Sequence, residues 1–337
     1  MKVTLISPEK GQYKANLHCH SIRSDGKMSP TELKTLYKEN GYQILAITDH
    51  CRPTDHTALS EDDFLLLTGY EAYIRTVGHN RFSPEIHMNL FPKDPHSVKL
   101  IGYDPRYIKY IPEEEWDAID RAEDLGPREY TVEYINRFIK SARENGYLVT
   151  YNHPFWSMED EERIMSYEGF FSLEIYNTSS YVLNNIENAE PLYDAMLRRG
   201  KRIFCHGADD NHSAADCCVY HTVILADTLT YGDVYGALES GDFYASSGAR
   251  ITSLTATPDG DSLQLHIECT PATAVFAYFG SKYPARVRLD PGMSDTAFDL
   301  TIPRGVSFFR VSVYGADGTK AVSRGYFSDE WNKEEKA

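Results

Sequence analysis

Histidines and carboxylates recur where short apolar runs of this 337-residue sequence end. His18 and His20 close the first run, and side chains at i and i+2 of an extended segment point the same way, so both imidazoles can bind one ion. Mixed imidazole and carboxylate ligands suit zinc, manganese or iron. The residues at or near the other run ends are Asp25, His50, Glu71, His87, His153, the Asp209–Asp210 pair and His212.

A lone histidine after a strand is more often a surface or hydrogen-bonded side chain than a ligand. Here six of the twelve histidines fall in this set, with an acid or a histidine at nearly every run end. Converging charges repel each other unless a cation lies between them. The combination therefore predicts a metal centre.

The elements that must position these residues follow a βα rhythm from residue 14 to about 240. Ser29-Pro30-Thr31-Glu32 predicts a capped helix that ends near Gly41, and segments 133–145 and 191–199 repeat the same helix-then-glycine pattern. Seven strands suit a closed or nearly closed β/α barrel with its site on the rim. We predict these strands over 15–18, 43–48, 64–70, 86–91, 147–151, 171–176 and 202–206.

Two segments depart from this rhythm. Residues 92–126 carry an acidic, helix-like stretch, and we expect an excursion over the barrel mouth. After residue 245 the apolar residues alternate with a period of two between turn signals, in strands that include 262–269 and 274–279, which predicts a small antiparallel β-sandwich. The expected division is a barrel over 1–244, a sandwich over 245–330 and a frayed tail over 331–337.

An ordered set of six motifs resembles the PHP (polymerase and histidinol phosphatase) superfamily. The motifs, spread over residues 13–213, are His18-x-His20, Ser24-Asp25-Gly26, Thr48-Asp49-His50, Glu71, Asn152-His153-Pro154 and Asp210-x-His212. The resemblance implies a distorted seven-stranded β/α barrel with up to three metals, in a superfamily of phosphatases and nucleases.

The resemblance also implies which residues bind which ion. One metal would be held by His18, His20, Glu71 and Asp210, a second by His87, His153 and a bridging Glu71, and a third by Asp25, His50 and His212. His79 competes with His87, which we prefer because it lies in an apolar, strand-like run. Asp209 competes with Asp210, which the D-x-H spacing favours.

Such a centre predicts hydrolysis of a phosphate ester by metal-bound water, with no side-chain nucleophile. The sequence has no GxSxG motif and no P-loop. Asp49 and Asn152 adjoin ligands and could orient them. Substrate-binding candidates, each more often a solvated or structural side chain, are Arg23, Arg52, Arg81 and Asn177.

The composition limits the partners. A formal charge of −16 disfavours long nucleic acid, which a basic surface binds. A small phosphorylated molecule or a short nucleotide is expected instead. No apolar stretch has the length of a membrane span, so we expect a soluble, cytoplasmic protein without membrane association. Nothing in the sequence indicates the oligomeric state.

Two other functions fit the same residues. Barrel metallohydrolases that open C–N bonds also begin with His-x-His on their first strand. A non-catalytic, metal-containing binding protein is the second alternative, in which the C-terminal strands recognise a partner.

Overall fold

The computed structural model describes residues 2–76 and 78–332. Its strands pair into two mixed sheets, one of thirteen strands and one of five, so the chain has a mixed α/β fold. The strands are β1 Val3–Ile6, β2 Gly11–Asn16, β3 Ile44–Ala46, β4 Leu65–Leu67, β5 Tyr70–Arg75, β6 Glu85–Pro92, β7 Tyr147–Tyr151, β8 Ser172–Asn177, β9 Phe204–Ala208, β10 His221–Ala226, β11 Phe243–Ser246, β12 Ile251–Asp259, β13 Ser262–Tyr278, β14 Ala285–Arg288, β15 Asp295–Pro303, β16 Phe308–Gly315, β17 Lys320–Ser323 and β18 Tyr326–Phe327. The helices are α1 Pro30–Glu39, α2 Val132–Glu144, α3 Glu161–Met165, α4 Glu190–Arg198, α5 Tyr231–Ser240 and α6 Ser328–Trp331.

Parallel strands form the part of the fold that carries the predicted site. β2, β3 and β4 are parallel neighbours in the larger sheet, and β7, β8 and β9 are parallel neighbours in the smaller one. β10 runs antiparallel to β2, and β6 runs antiparallel to both β5 and β7. Within the part of the chain that is described, these ladders form two separate sheets and no closed one.

The prediction of a single strand over 64–70 is wrong. The chain leaves the parallel group after β4 and re-enters the smaller sheet as β5, which forms an antiparallel pair with β6. Gly69 lies at the crossing, where an added Cβ would come within 3.0 Å of the Leu90 carbonyl oxygen and the Phe91 ring. A side chain there would push the two strands apart, so the break depends on the close approach that glycine allows.

The C-terminal strands are antiparallel and pack around a second buried apolar cluster, which also includes Ile6 of β1, Val223 and Leu225 of β10 and Tyr244 of β11. The two strands expected over 262–269 and 274–279 are one long strand, β13, whose register shifts between Glu268 and Ala272. Pro271, which has no N–H for a ladder, lies within that shift.

The larger sheet runs through the expected division at residues 244 and 245, which falls inside β11. β11 pairs with β10 on one side and β17 on the other, and β1 pairs with β12. Trp331 at the end of α6 is buried against Phe309, with ring centroids 5.1 Å apart. Residues 333–337 of the expected frayed tail lie outside the described residues.

Residues 92–126 form an irregular excursion whose expected acidic helix is only a 3₁₀ turn over Glu113–Ala118. The buried Arg128 fixes the end of this excursion to the smaller sheet. Its Nε donates to the Gly102 carbonyl at 2.8 Å, and its Nη1 donates to the Tyr73 carbonyl at 2.8 Å. The excursion is therefore tied to β5, the strand that carries Glu71.

None of the described helices has the length and apolar character needed to cross a membrane.

Helix α1 begins as its sequence predicts, with Ser29 as N-cap in a capping box. Its buried face presents Tyr37, whose hydroxyl lies 2.8 Å from both Oδ2 of Asp209 and Oδ1 of Asn211. The same hydroxyl accepts a hydrogen bond from Nδ2 of Asn16 at 2.8 Å. One phenol thus joins the end of β2 to the residues that follow β9.

Tyr37→Phe is expected to lower the free energy of unfolding by about 1–3 kcal/mol, because it leaves buried polar partners unsatisfied. Tyr42→Phe is a matched control. The Tyr42 ring packs edge-on against Tyr37 at 4.9 Å, but its buried hydroxyl has no partner among the described residues. Its removal should not lower the free energy of unfolding, because no hydrogen bond is lost. Urea unfolding measures both variants, and equal losses would contradict the bridging role of Tyr37.

Candidate metal centre

The ends of several strands bring the predicted residues to one place. His18 and His20 follow β2, His153 follows β7, and Asp210 follows β9. The extension of β2 pairs with that of β9 through a parallel bridge between Cys19 and Asn211. A second bridge joins His50, after β3, to Glu71 in β5, and His87 lies on the paired strand β6.

Glu71 is at the middle of the centre. Its side chain is fully buried, and Asn152 donates to its Oε1 at 2.9 Å. Five imidazoles each place a nitrogen within 3.5 Å of this carboxylate: those of His18, His20, His50, His87 and His153.

Asp210 is the second buried carboxylate of the centre. Its Oδ1 lies 3.2 Å from Nε2 of His18 and 3.1 Å from Nε2 of His20. Its Oδ2 lies 3.8 Å from Nε2 of His153 and accepts a hydrogen bond from Asn177 at 3.1 Å. Glu71 and Asp210 thus approach the His18–His20 pair together.

A more open group lies at the edge of the centre. Oδ2 of Asp25 is 3.5 Å from Nε2 of His50, and Oδ1 of Asp25 is 3.5 Å from Nε2 of His212. The His20 ring stacks on the His212 ring at 4.4 Å. The side chains of Asp25 and His212 are 38% and 35% exposed, in contrast to the buried Glu71. An ion held here would face solvent.

All nine predicted residues fall in four overlapping groups whose ligand atoms lie within 4.8 Å of one another. His18 belongs to two groups, one with His20 and Asp210 and one with Glu71 and His153. Glu71 also belongs to a group with His50 and His87. The fourth group contains His20, Asp25, His50 and His212. His50 thus faces two positions, since its Nδ1 lies 2.9 Å from Glu71 and its Nε2 points to Asp25.

Several buried polar atoms of the centre lack hydrogen-bond partners within the described residues. They are Nδ1 of His50, Oε2 of Glu71, both ring nitrogens of His87 and Oδ1 of Asp210. Buried polar groups are rarely left unpaired, and imidazole and carboxylate donors together are the ligands of transition metals. The residues present therefore fit zinc, manganese or iron.

The charges of the buried carboxylates determine which imidazoles of this centre carry a proton. Burial by itself lowers the pKa of His87, but Glu71 and Glu85 outweigh burial and raise that pKa to about 10. Burial likewise lowers the pKa of His18, while Asp210, Glu71 and Glu174 raise it well above its usual range. In the metal-free protein, protons on imidazoles therefore balance the buried carboxylates.

A second layer of hydrogen bonds holds the histidine rings. Glu174 accepts from Nδ1 of His18 at 3.0 Å and from the backbone N–H of His153 at 2.9 Å. The sequence analysis did not predict this role of Glu174. The available signal is a glutamate between Leu173 and Ile175 in a buried strand, where an unpaired charge would be costly.

Asp49 was expected to orient a neighbouring metal ligand, but it reaches one only through a serine hydroxyl. Its carboxylate accepts from the hydroxyls of Ser21 and Ser24 at 2.6 Å, and the Ser24 hydroxyl lies 3.4 Å from Nδ1 of His20. Asn152, by contrast, contacts Glu71 directly.

Both competing residues lie outside the four groups. Asp209 accepts from Thr178 and from the backbone N–H of Cys218, and burial raises its pKa to about 6. His79 lies 3.6 Å from Glu85. Neither of them faces Glu71 in the contacts described.

The three arginines proposed for substrate binding differ in their surroundings. Arg52 donates to the Tyr110 carbonyl at 2.6 Å and lies 3.7 Å from Glu115. Arg23 is exposed and lines, with Arg52, a cleft of about 330 Å³. Arg81 is exposed, with its guanidinium 4.8 Å from the centre of the Phe82 ring. Arg52 is thus occupied by the excursion over 92–126.

Three residues at the rim have positive φ, namely Cys51 (47°), His153 (25°) and Asp210 (54°). Each such backbone costs on the order of 1–3 kcal/mol outside glycine. Hydrogen bonds hold two of them in place, because Cys51 N donates to the Glu71 carbonyl at 2.7 Å and Asp210 N donates to the His18 carbonyl at 2.9 Å. The rim therefore contains strained backbone, and neighbouring hydrogen bonds hold it in that conformation.

Tyr110 brings the excursion into the centre. Its hydroxyl donates to Oδ2 of Asp25 at 3.1 Å, and its ring lies nearly parallel to that of His50, 6.2 Å away. Burial and the charge of Asp25 raise the pKa of Tyr110 to about 12, so the hydroxyl keeps its proton at neutral pH. No feature of the sequence near Tyr110 predicted this contact.

Metal loading is expected to release protons at pH 8. A histidine pKa raised to about 10 stabilises the metal-free fold fully below about pH 6.5, and that contribution is lost as the pH rises toward 10. Metal ligands must be neutral imidazoles, so an ion displaces the His87 proton and binds more tightly as the pH rises. Calorimetry of Mn²⁺ binding in two buffers of different ionisation enthalpy counts the protons.

In this experiment His87→Gln should release about one proton fewer, whereas His266→Gln, on β13 with a side chain that is 40% exposed, should match the parent. Proton release that is zero at pH 8, or equal in the His87 variant and the parent, would contradict the pairing of His87 with Glu71.

Tyr110→Phe is expected to weaken one bound ion by about 10- to 100-fold, because it removes the hydrogen bond that orients Asp25. Tyr103→Phe is the control from the same excursion, where the Tyr103 ring packs under Arg121 at 3.7 Å. Elemental analysis after dialysis against graded chelator gives the ions retained per chain. Identical metal retention in the two variants would rule out this role of Tyr110.

Several solved structures align with this chain. No family model and no curated protein matches the sequence. A two-domain protein from Bacteroides vulgatus, described as containing a predicted PHP-like metal-dependent phosphoesterase, aligns over 96% of both chains with 13% identity and a TM-score of 0.47. A candidate metal-dependent phosphoesterase from Bifidobacterium adolescentis aligns over 67% of this chain and 95% of its own, with 16% identity and a TM-score of 0.40.

An amidohydrolase from Chromobacterium violaceum, with bound sulfate and no metal, aligns over 60% of this chain and 89% of its own, with 18% identity and a TM-score of 0.39. The first two of these neighbours are named as metal-dependent phosphoesterases, PHP-like in the case of the first.

Proposed function

We propose that this chain is a metal-dependent phosphoesterase that hydrolyses a small phosphorylated substrate, a phosphomonoester or a short nucleotide. The observation that supports this most is the buried Glu71, faced by five imidazoles within 3.5 Å. Unpaired atoms of this carboxylate and of the surrounding rings need a cation to satisfy them.

The nine residues serve as ligands to two or three ions of manganese, iron or zinc in this proposal. The two inner positions use His18, His20, Glu71 and Asp210, together with His87 and His153. The outer position uses Asp25, His50 and His212. When bound, such ions lower the pKa of coordinated water and neutralise the oxygens of a phosphoryl group.

The number of candidate cation positions favours phosphorus over carbon as the reacting atom. A phosphoryl group has three non-bridging oxygens that gain charge in the transition state, whereas a carbonyl group has one. Four overlapping ligand groups can place cations beside several of these oxygens at once. Water adds to phosphorus, the P–O bond to the alcohol breaks, and the alcohol leaves with a proton.

The protein's own contribution is to hold the ligands in position. Glu174 fixes the His18 ring and the backbone of His153, and Asn152 fixes Glu71. Asn177 donates to both Glu174 and Asp210, so we propose it as a positioning residue in place of a substrate ligand. Of the arginines, Arg23 is the one we retain as a phosphate-binding candidate, because Arg52 is tied to the excursion.

We also propose that the two sheets enclose this centre as a distorted seven-stranded barrel. The bridges Cys19–Asn211 and His50–Glu71 support this, because they continue the strand order where the ladders stop. In the same proposal the C-terminal antiparallel strands form the small β-sandwich, supported by a second apolar cluster to which they contribute most of the residues.

Phosphate release from a panel of phosphomonoesters, phosphodiesters and nucleotides with added Mn²⁺ tests the function. We expect turnover by the parent and a loss of at least about 10³-fold in His18→Asn, since a buried ligand is removed. His266→Asn, at a partly exposed side chain of β13, should retain full activity.

Turnover restricted to amides or lactams in the same panel would favour C–N bond hydrolysis. A folded, metal-loaded protein without any turnover, in which His18→Asn changes only thermal stability, would favour a non-catalytic metal-binding role.

A further inference from the structure

A cavity of about 340 Å³ lies at the amino ends of β7, β8 and β9, the ends opposite to the metal centre. We call it the Phe204 cavity. The end of α2 and one face of α5 complete its lining. Leu148 lines the cavity and precedes His153 by five residues, on the order of 15 Å along an extended chain. The cavity is therefore separate from the proposed metal ligands.

Aromatic rings line part of the Phe204 cavity. Phe171 and Phe204 both line it, and both pack against the buried Phe243 ring, at 6.1 and 5.7 Å between centroids. The two side chains are only partly buried, as is Leu148 beside them. Apolar surface left open in a concave site of roughly 300–1,000 Å³ is typical of small-molecule binding.

The charge of the lining favours an anion. In a chain whose formal charge is −16, the charged residues that line the Phe204 cavity are three cations and one acid: Lys93, Arg143, Arg202 and Glu239. Lys93 lies 4.0 Å from Glu239, and Arg202 is paired with Asp329 at 2.8 Å. Arg143 is exposed and forms no ion pair with any residue that the structure describes, so its charge is available to a ligand.

The Arg143 side chain lies against Gly169, which also lines the Phe204 cavity. A Cβ added to Gly169 would come within 3.3 Å of Cδ and 3.4 Å of Nη1 of Arg143. Arg143 also borders a second groove, of about 1000 Å³ along α2, which Arg137 lines as well. Arg137 does not line the Phe204 cavity, so a comparison of the two arginines separates the two places.

We infer that the Phe204 cavity binds a small aromatic anion, with its ring against Phe171 and Phe204 and its acidic group paired with Arg143. An aromatic ligand gains from contact with these rings beyond the apolar area that it buries. A guanidinium binds the oxygens of a carboxylate, sulfonate or phosphate through charge-assisted hydrogen bonds. This site goes beyond the proposed function and does not depend on it, because none of the nine proposed metal ligands is among the described residues that line the cavity.

Three probes of similar size test the ring and the charge separately, by calorimetry on the full chain with Mn²⁺. Benzenesulfonate has both features, methyl phenyl sulfone lacks the charge, and cyclohexanesulfonate lacks the aromatic ring. One benzenesulfonate per chain should bind, about 10-fold more tightly than the sulfone because the sulfone cannot form the charged pair with Arg143. It should bind roughly threefold to tenfold more tightly than cyclohexanesulfonate, the range of an aromatic contact. Failure of benzenesulfonate to bind at millimolar concentration overturns the inference.

Arg143→Gln should weaken benzenesulfonate by about 10-fold and leave methyl phenyl sulfone unchanged. Arg137→Gln, the same change on the same helix, is the matched control and should leave both compounds unchanged. If the two variants weaken benzenesulfonate equally, the anion lies in the groove along α2, and the inference is overturned. Leu148→Phe adds a ring to the cavity without a change in charge and should weaken both aromatic compounds. Arg143 is exposed, so the arginine pair decides the question even where Leu148→Phe perturbs folding.

His18→Asn separates the Phe204 cavity from the metal centre. This variant should bind benzenesulfonate as tightly as the parent, because His18 does not line the cavity. Loss of binding in His18→Asn would place the anion at the metal centre and overturn the inference, whatever the phosphate-release panel shows. Binding that depends on Arg143, together with a lack of phosphate release from every ester, would support the cavity and overturn the proposed function alone.

Discussion

The burial of the Glu71 carboxylate is the constraint on which the rest of the structure depends. An ionised carboxylate without water must be neutralised, and here five imidazoles from four different chain segments face it, of which His18 and His87 have a raised pKa. Because each imidazole must reach the same two oxygens, the strand ends have to converge at one point. The β5–β6 pair fits this need, since it places Glu71 and His87 on neighbouring strands that run in opposite directions.

The positions of the proposed ligands were largely predictable, because they depend on where strands end. His18 and His20 share a direction on an extended segment, and the glycine stops after α1, α2 and α4 fix where the next strand starts. The crossing at Gly69 was not predictable, since a short apolar run does not reveal that a chain changes sheets within it. The joining of two expected strands into β13 was missed for a similar reason, because Pro271 reads as a break until the register shift is seen.

Residues that hydrogen-bond to the proposed ligands were harder to predict than the proposed ligands themselves. Glu174 lies 156 positions from His18, and Tyr110 lies 85 positions from Asp25. Such contacts depend on tertiary packing and carry no local spacing. Arg52, a weak substrate-binding candidate in the sequence, likewise donates to a carbonyl of the excursion, a contact that its local sequence does not indicate.

The pairing of β1 with β12 has a consequence for how the chain reaches this state during its synthesis. Val3 pairs with Ala256, so the first strand leaves the ribosome long before its partner exists. Contacts between residues so distant in sequence carry a large loop-closure cost and form slowly. Residues 2–6 must therefore remain unpaired while the site residues that follow β2 and β3 can already begin to assemble. A chaperone that shields this unpaired segment would act in that interval.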